Sequence, residues 1–99
     1  MTGFILLMHA LPDGAQSAET DWGPYIARLQ ASGHLRGGSA IGNGACFNKD
    51  GLAHDITAHL TGFVRVEADS LEVAAALLPG NPVFEAGGTV EIRELPETD

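Results

Sequence analysis

The pattern of apolar and polar positions divides much of the chain into two units, each with the order strand, helix, strand. In the first unit, residues 4–8 form a continuous apolar run, which is typical of a strand covered on both faces. From Trp22 onward, apolar residues recur at the i, i+3, i+4 and i+7 spacing of a helix, so we predict a helix over about residues 19–32. Gly33 is suited to end that helix, and residues 39–41 are typical of a short strand.

The second unit shows a clearer alternation. Residues 60–67 alternate with period two, which places every second side chain on the same face of a strand. Asp69 and Glu72 have the spacing of a capping box, so we predict that Asp69 caps a second helix. Residues 81–88 are expected to form a loop, and residues 89–95 alternate again as the last strand.

The segment between the two units is rich in glycine and in turn-forming residues. Asn43-Gly44 is a strong signal for a two-residue hairpin turn, with residues 45–47 returning antiparallel. Residues 49–51, Lys-Asp-Gly, indicate a further turn. An inserted hairpin is therefore expected between the units.

Two such units in one antiparallel sheet predict an α+β sandwich of the ferredoxin-like type, βαβ-βαβ, with the hairpin inserted. Each helix has one apolar stripe, so both helices are expected on one face of the sheet. The second face then carries mostly polar side chains: Thr61, Phe63, Arg65, Glu67, Thr89, Glu91 and Arg93. Because the first strand is apolar on both sides, half of its side chains lie on that second face too. A second copy of the chain is the simplest cover, which predicts a homodimer.

Composition narrows the class of protein. Ninety-nine residues with 44% hydrophobic content fit one folded domain over residues 1–99. A net charge of −8 disfavours binding to nucleic acid or to an anionic membrane surface. Cys46 is the single cysteine, so we expect no internal disulfide and a cytoplasmic location. The chain has no zinc-binding spacing of Cys and His, so we expect no metal site. Its glycines form no nucleotide-binding motif, and we expect no cofactor. The apolar residues 1–8 are too few to span a bilayer and lack the features of a signal peptide.

Residues 50–63, Asp-Gly-Leu-Ala-His-Asp-Ile-Thr-Ala-His-Leu-Thr-Gly-Phe, resemble the signature of the YCII-related, or DGPF-domain, family. That signature is an Asp-Gly-Pro-Phe turn followed, at this spacing, by a Leu-x-Gly-aromatic strand. Leu52 and Ala53 replace the Pro-Phe of the turn. Four further runs are similar to other parts of the family pattern, so the resemblance covers nearly the whole chain: residues 32–38, 70–72, 81–82 and 87–93.

The resemblance implies a dimeric α/β barrel, in which two sheets face each other and a cleft lies beside the signature loop. It also implies a link to a few proteins that use a His–Asp pair for lyase or dehydrochlorinase chemistry on small ring compounds. The histidine of that pair lies in the first helix. Trp22 stands near that place here, so the pair is not carried over to this chain.

Three residues are candidates for catalysis. His9 ends the first strand beside the expected signature loop, where it would be a general base or a hydrogen-bond donor to a substrate, or simply a polar residue meeting water. His54 and Asp55, near His59, form a local histidine and carboxylate cluster. A carboxylate can orient an imidazole and raise its basicity, although a solvated loop cluster is the alternative.

Four further residues are candidates for ligand binding. Asp50 and His59 flank the signature loop, and Asp50 has an alternative role in anchoring that loop. Arg65 and Arg93 would receive a carboxylate on a ligand or, alternatively, form cross-strand ion pairs at the dimer interface. The sequence thus supports a dimeric domain with a small-molecule-binding cleft, and the alternative is a lyase or dehydrochlorinase-type enzyme using His9 or His54 with Asp50 or Asp55.

Overall fold

A computed structural model describes residues 1–11 and 21–97 of the chain. The predicted start of the first helix, at residues 19–20, lies outside these residues. The described part forms, in chain order, β1 (Thr2–His9), α1 (Trp22–Ala31), β2 (Leu35–Ala40), β3 (Phe47–Asn48), β4 (Gly51–Leu52), β5 (Leu60–Ala68), α2 (Leu71–Ala75), α3 (Pro82–Glu85) and β6 (Val90–Leu95).

Four strands form one sheet in the order β2-β5-β1-β6, and every neighbouring pair is antiparallel. This is the ferredoxin-like order, so the predicted α+β sandwich is confirmed. The strands β3 and β4 form a separate two-stranded ribbon in the chain segment that connects β2 to β5. The predicted inserted hairpin is therefore present as well.

The hydrophobic core lies on the helix side of the sheet. Alternate residues of β1 and β5 are buried there together with α1 and α2 residues, and Leu6 at the centre has no exposed surface. The cluster contains Phe4, Leu6, Met8, Leu11, Tyr25, Leu29, Val64, Val66, Ala68, Ala74 and Val83. Both α1 and α2 contribute to this one cluster, as their single apolar stripes predict. The other side of the sheet, which we call the open face, carries the remaining side chains of each strand.

The first helix ends where the sequence predicts. Gly33 has a φ of +83°, a conformation that favours glycine. Its N–H donates to the carbonyl of Gln30 at 3.1 Å, and the N–H of His34 donates to the carbonyl of Leu29 at 3.3 Å. This pair of bonds is the Schellman arrangement, which closes a helix C-terminus and turns the chain into β2.

The second helix begins one residue later than predicted. Ser70, rather than Asp69, is the N-cap, because its backbone is extended and its Oγ accepts a hydrogen bond from the N–H of Val73 at 3.2 Å. The prediction that Asp69 caps the helix is therefore wrong. Asp and Ser are both good caps, so their order along the chain did not decide between them.

Residues 81–88, predicted as a loop, contain the short helix α3. The buried Asn81 caps it, since its Oδ1 accepts hydrogen bonds from the N–H groups of Val83 at 3.0 Å and Phe84 at 3.1 Å. Pro82 occupies the first turn, where its missing N–H costs nothing. The Asn-Pro step therefore begins a helix within the segment that was expected to be a loop.

The turn of the ribbon is the second of the two turns that the sequence predicts. Phe47 pairs with Leu52 and Asn48 pairs with Gly51, so the chain reverses at residues 49–50 rather than at Asn43-Gly44. The side chain of Asn48 accepts a hydrogen bond from the N–H of Asp50 at 2.9 Å, which stabilises this turn. The two turn signals are close in sequence, and only the second is flanked by residues that pair with each other as strands.

Candidate functional site

A cavity of about 900 Å³ lies between α1 and the β2 side of the sheet. That volume is within the range of small-molecule sites. Its walls are mainly apolar, and four of the lining residues have a polar atom in their side chain: His9, Trp22, Ser39 and Thr61. The apolar part of the lining includes Met8, Leu11, Trp22, Ile26, Val64 and Val83.

One wall of the cavity is formed by the backbone of β2. Gly37 and Gly38 both line it and present no side chain. A Cβ added at Gly38 would lie 2.6 Å from the carbonyl oxygen of Phe63, so only glycine fits the close approach of β2 to β5. The two glycines therefore leave room that larger residues would fill.

His9 lies at the end of β1, where the strand register shifts between Met8 and His9. The backbone N–H of His9 donates to the carbonyl of Thr89 at 3.0 Å, and the backbone N–H of Ala10 donates to the carbonyl of His59. The His9 side chain is 24% exposed, and the residue lines the cavity. The backbone thus holds this imidazole between β5 and β6, partly shielded from water.

Glu91 on β6 is the carboxylate that meets His9. Its Oε1 lies 3.0 Å from Nε2 of His9, and its Oε2 accepts a hydrogen bond from Arg93 at 3.2 Å. The hydrogen bond from His9, and then the one from Arg93, lower the pKa of Glu91 below its usual 4.5. Glu91 is therefore ionised at neutral pH.

An ionised carboxylate only accepts hydrogen bonds, so Nε2 of His9 must carry the proton in this contact. In the neutral ring, Nδ1 then holds a free lone pair. Nδ1 makes no hydrogen bond to any residue within 1–11 or 21–97. This arrangement of a carboxylate and an imidazole is the one that prepares a general base.

The ring of His59 packs edge-on against His9, with centroids 4.7 Å apart and an angle of 66°. His59 and Arg93, both predicted to bind ligand, therefore lie close to the predicted catalytic residue His9. The four side chains of His9, His59, Glu91 and Arg93 form one cluster, which we call the His9 cluster.

The other predicted site residues lie apart from the His9 cluster. Nδ1 of His54 bonds the backbone carbonyl of Asp55 at 2.9 Å, and both residues are exposed. Asp50 is exposed at the turn of the ribbon. The expected pairing of a histidine with the carboxylate of Asp50 or Asp55 is therefore not the one found.

The two arginines predicted to bind a ligand, Arg65 and Arg93, lie on the open face. Glu67 pairs with Arg36 of β2 at 2.8 Å, and Glu91 pairs with Arg93 of its own strand. Arg65 is exposed on the same face. Neither of these pairs includes Arg65, and ion pairs of Arg65 or Arg93 across a dimer interface stay a prediction.

Glu91 is the functional candidate that sequence reasoning missed as a partner of His9. The signal was present, because the ferredoxin-like order places the first and last strands side by side. Leu7 pairs with Glu91 across these strands, so Glu91 and His9 are diagonal neighbours on one face. The strand order, together with the alternation of side chains along each strand, would have predicted the contact between Glu91 and His9.

Two negative findings concern other kinds of site. The residues that the structure describes contain no group of three or more His, Cys, Asp or Glu placed to hold a metal ion. Within the same residues, no helix has both the length and the apolar character needed to cross a bilayer.

Comparison with known proteins gives a fold relationship. No family model matches the chain, and no curated protein matches its sequence significantly. Among solved structures, the chain is similar to 5-chloro-2-hydroxyhydroquinone dehydrochlorinase from Burkholderia phenoliruptrix, in complex with 2,5-dihydroxybenzoquinone. The TM-score is 0.61 over 97% of this chain and 95% of that chain, with 15% sequence identity. At that identity, the similarity shows a shared ferredoxin-like fold.

Proposed function

We propose that the protein is a YCII-related enzyme that binds a small, largely apolar molecule and acts on it by acid–base catalysis, with His9 as the general base. One observation carries this proposal: His9 lines the cavity and is held by an ionised carboxylate, Glu91, at 3.0 Å. The sequence alone favours binding without catalysis, because the first-helix histidine of the His–Asp pair that the resemblance implies is missing. The His9–Glu91 contact supplies such a pair.

The chemistry follows from the geometry of the pair. A proton leaves a hydroxyl or an activated C–H group of the ligand and is taken up by Nδ1 of His9. Glu91 then faces an imidazolium across Nε2 and stabilises its charge. Arg93 holds the second oxygen of Glu91, which keeps the carboxylate oriented. The apolar walls around the ligand strengthen these interactions by excluding water.

The lining of the cavity narrows the class of ligand. No Lys or Arg is among the described residues that line it, and the chain carries a net charge of −8. A ligand with several negative charges is therefore disfavoured. A hydroxylated ring, with one polar edge toward His9 and Thr61, fits the lining better. The dihydroxybenzoquinone bound by the similar dehydrochlorinase supports this class.

A second candidate function is binding without turnover. It is favoured by Trp22, which lines the cavity near the place where the resemblance expects a catalytic histidine. In that case the same cavity holds a ligand, and the His9 cluster only orients it.

The open face of the sheet supports a proposal on assembly. Ile5, Leu7 and Phe63 lie there and are only half-buried in a single chain. We propose that two copies form a homodimer with these faces toward each other. For the location of the protein, the single cysteine favours the reducing cytoplasm.

The test begins with a screen of hydroquinones, chlorinated hydroquinones and hydroxybenzoquinones by thermal shift, since a true ligand stabilises the fold. Turnover of each hit is then followed by absorbance and by product mass. We expect His9→Asn to bind the ligand but to lower kcat by about 10²–10⁴-fold, the usual contribution of a general base. Glu91→Gln should lower kcat with little change in KM.

The matched control is His54→Asn, which removes an exposed histidine outside the His9 cluster. It should keep wild-type kcat. If ligands bind but no turnover is detected, the non-catalytic function stands. Equal kcat in wild type and His9→Asn contradicts the proposed role of His9.

A further inference from the structure

Trp22 is the single tryptophan of the chain and the first residue of α1, where it lies on the wall of the cavity. The acid–base chemistry proposed for His9 does not use it. The residue is half-buried, and its ring packs nearly perpendicular to that of Tyr25, with centroids 6.0 Å apart at an angle of 72°. An indole has a wide, flat π face, and other flat rings pack favourably against such a face.

The packing of Tyr25 limits the movement of this indole. Tyr25 follows Trp22 by three residues, so the two side chains are neighbours on one face of α1. Only 2% of Tyr25 is exposed, and its hydroxyl donates a hydrogen bond to the carbonyl of Leu77 at 2.9 Å. Trp22 therefore packs against a fixed ring. A side chain that is already ordered loses little freedom when a ligand binds, which favours affinity.

The sheet side of the cavity has three neighbouring positions without a large side chain: Gly38 and Ala40 on β2, and Gly62 on β5. Ala40 pairs with Gly62, and Gly38 pairs with Val64. Paired residues of antiparallel strands share a face, and Val64 belongs to the core on the helix side. These three positions, which we call the floor, therefore face the helices.

The floor stays free of large side chains for steric reasons. A Cβ at Gly62 would lie 3.2 Å from the carbonyl oxygen of Ser39, and one at Gly38 would lie 2.6 Å from that of Phe63. Two residues along a strand span about 6.8 Å, and neighbouring strands are about 4.8 Å apart, so the floor is comparable in size with one six-membered ring. The indole lies on the α1 wall and the floor on the sheet wall of the same cavity.

We infer that Trp22 determines the specificity of the cavity by selecting a planar aromatic ring, which stacks on the indole and lies between it and the floor. This inference rests on the proposed function and narrows its ligand from a hydroxylated ring to a flat one. A saturated ring with the same hydroxyl groups is puckered and has no π face, so it contacts the indole less well. The hydroxyl edge of the stacked ring points toward His9.

The first experiment compares two compounds that differ in planarity. Hydroquinone and trans-1,4-cyclohexanediol both carry hydroxyl groups at opposite positions of a six-membered ring, and only hydroquinone is flat. Isothermal titration calorimetry under anaerobic conditions gives the dissociation constant of each. Trp22→Leu keeps an apolar side chain but removes the π face. We expect it to raise the constant for hydroquinone by about 3–10-fold, the contribution of one aromatic pair, and that for the diol by less than twofold.

Two further variants separate stacking from packing. Trp22→Phe keeps a flat ring and should keep the larger part of the preference for hydroquinone over the diol. The matched control is Phe47→Leu, which removes a ring that is 74% exposed and outside the cavity lining, and it should leave that preference unchanged. Circular dichroism establishes that each variant is folded. For any compound that is turned over, Trp22→Leu should act mainly on KM, whereas His9→Asn acts on kcat.

A second experiment observes the contact directly. Because the chain has one tryptophan, the ¹H–¹⁵N NMR spectrum of labelled protein contains one indole N–H signal. The ring current of a stacked aromatic ligand shifts that signal. We expect the shift on addition of hydroquinone to saturate with the dissociation constant that calorimetry gives.

The outcomes distinguish this inference from the proposed function. If hydroquinone binds but the indole signal does not move at saturation, or if Trp22→Leu keeps the full preference for the flat ring, the selection by Trp22 is overturned and the proposed function stands. If no hydroquinone or hydroxybenzoquinone of the thermal-shift screen binds, the proposed class of ligand is wrong, and the selection of a planar ring is overturned with it.

Discussion

Asn81→Ala tests whether one buried side chain holds the wall of the cavity. Asn81 has no exposed surface, and its Oδ1 accepts the hydrogen bonds from Val83 and Phe84 that begin α3. Its Nδ2 lies 3.8 Å from the sulfur of Met8. Because Met8 and Val83 both line the cavity, Asn81 joins two of its walls.

The expected cost follows from these contacts. Loss of a helix cap costs about 0.5–2 kcal/mol. The N–H of Val83 is also left without its partner in a buried place, and an unsatisfied buried group costs about 1–3 kcal/mol. These effects overlap, so we expect about 2–3 kcal/mol of lost stability. For a domain of this size, that corresponds to a fall in Tm of roughly 10–20 °C.

The assay is urea unfolding followed by circular dichroism, with the slope of the transition expected to stay unchanged. The matched control is Asn43→Ala, which removes an exposed side chain that bonds the N–H of Gly44 at 2.8 Å. That control should change stability by less than about 0.5 kcal/mol. A loss below about 0.5 kcal/mol in Asn81→Ala would refute the argument.

Two further predictions concern the sheet. Gly38→Ala should lower the free energy of unfolding by about 1–3 kcal/mol, because its Cβ meets the carbonyl of Phe63, whereas Gly42→Ala, with open space around it, should not. Because the pKa of Glu91 is lowered on folding, its ion pairs stabilise the fold above pH 4.5 and lose that effect as pH falls below it. Wild type should therefore lose more stability than Glu91→Gln between pH 5 and pH 3, and equal losses would contradict this.

The sheet and its faces followed from the sequence because side-chain alternation is a local property. The buried positions Val64 and Val66 are separated by the exposed Arg65, and this period of two is visible without any tertiary information. The end of α1 at Gly33 followed for the same reason, since a positive φ favours one residue type. Local signals with a single interpretation were sufficient for these elements.

The misplaced elements are those for which two local signals compete. Asp69 and Ser70 are both suitable caps, and only the extended backbone at Ser70 decides between them. Asn81 precedes a proline, which is typical of loops as well as of helix starts. In that case burial of Asn81 decides, and burial depends on the packing of Met8 and Val83 from distant parts of the chain.

The candidate site was predicted in part. His9, His59 and Arg93 come together as neighbours, but their common carboxylate, Glu91, is 82 residues from His9 in sequence. A contact of that range depends on the order of strands in the sheet. A histidine and carboxylate pair that is adjacent in sequence, such as His54 and Asp55, can be identified from the sequence alone.

The glycine wall of the cavity has a consequence for engineering. Backbone atoms set the shape of that wall, so changes of ligand preference cannot arise there by exchanging side chains. Ala40, two residues after Gly38, lines the cavity, is exposed, and lies opposite Gly62. A small library of larger side chains at this single position would make the cavity successively smaller and would yield variants graded by the size of molecule they bind.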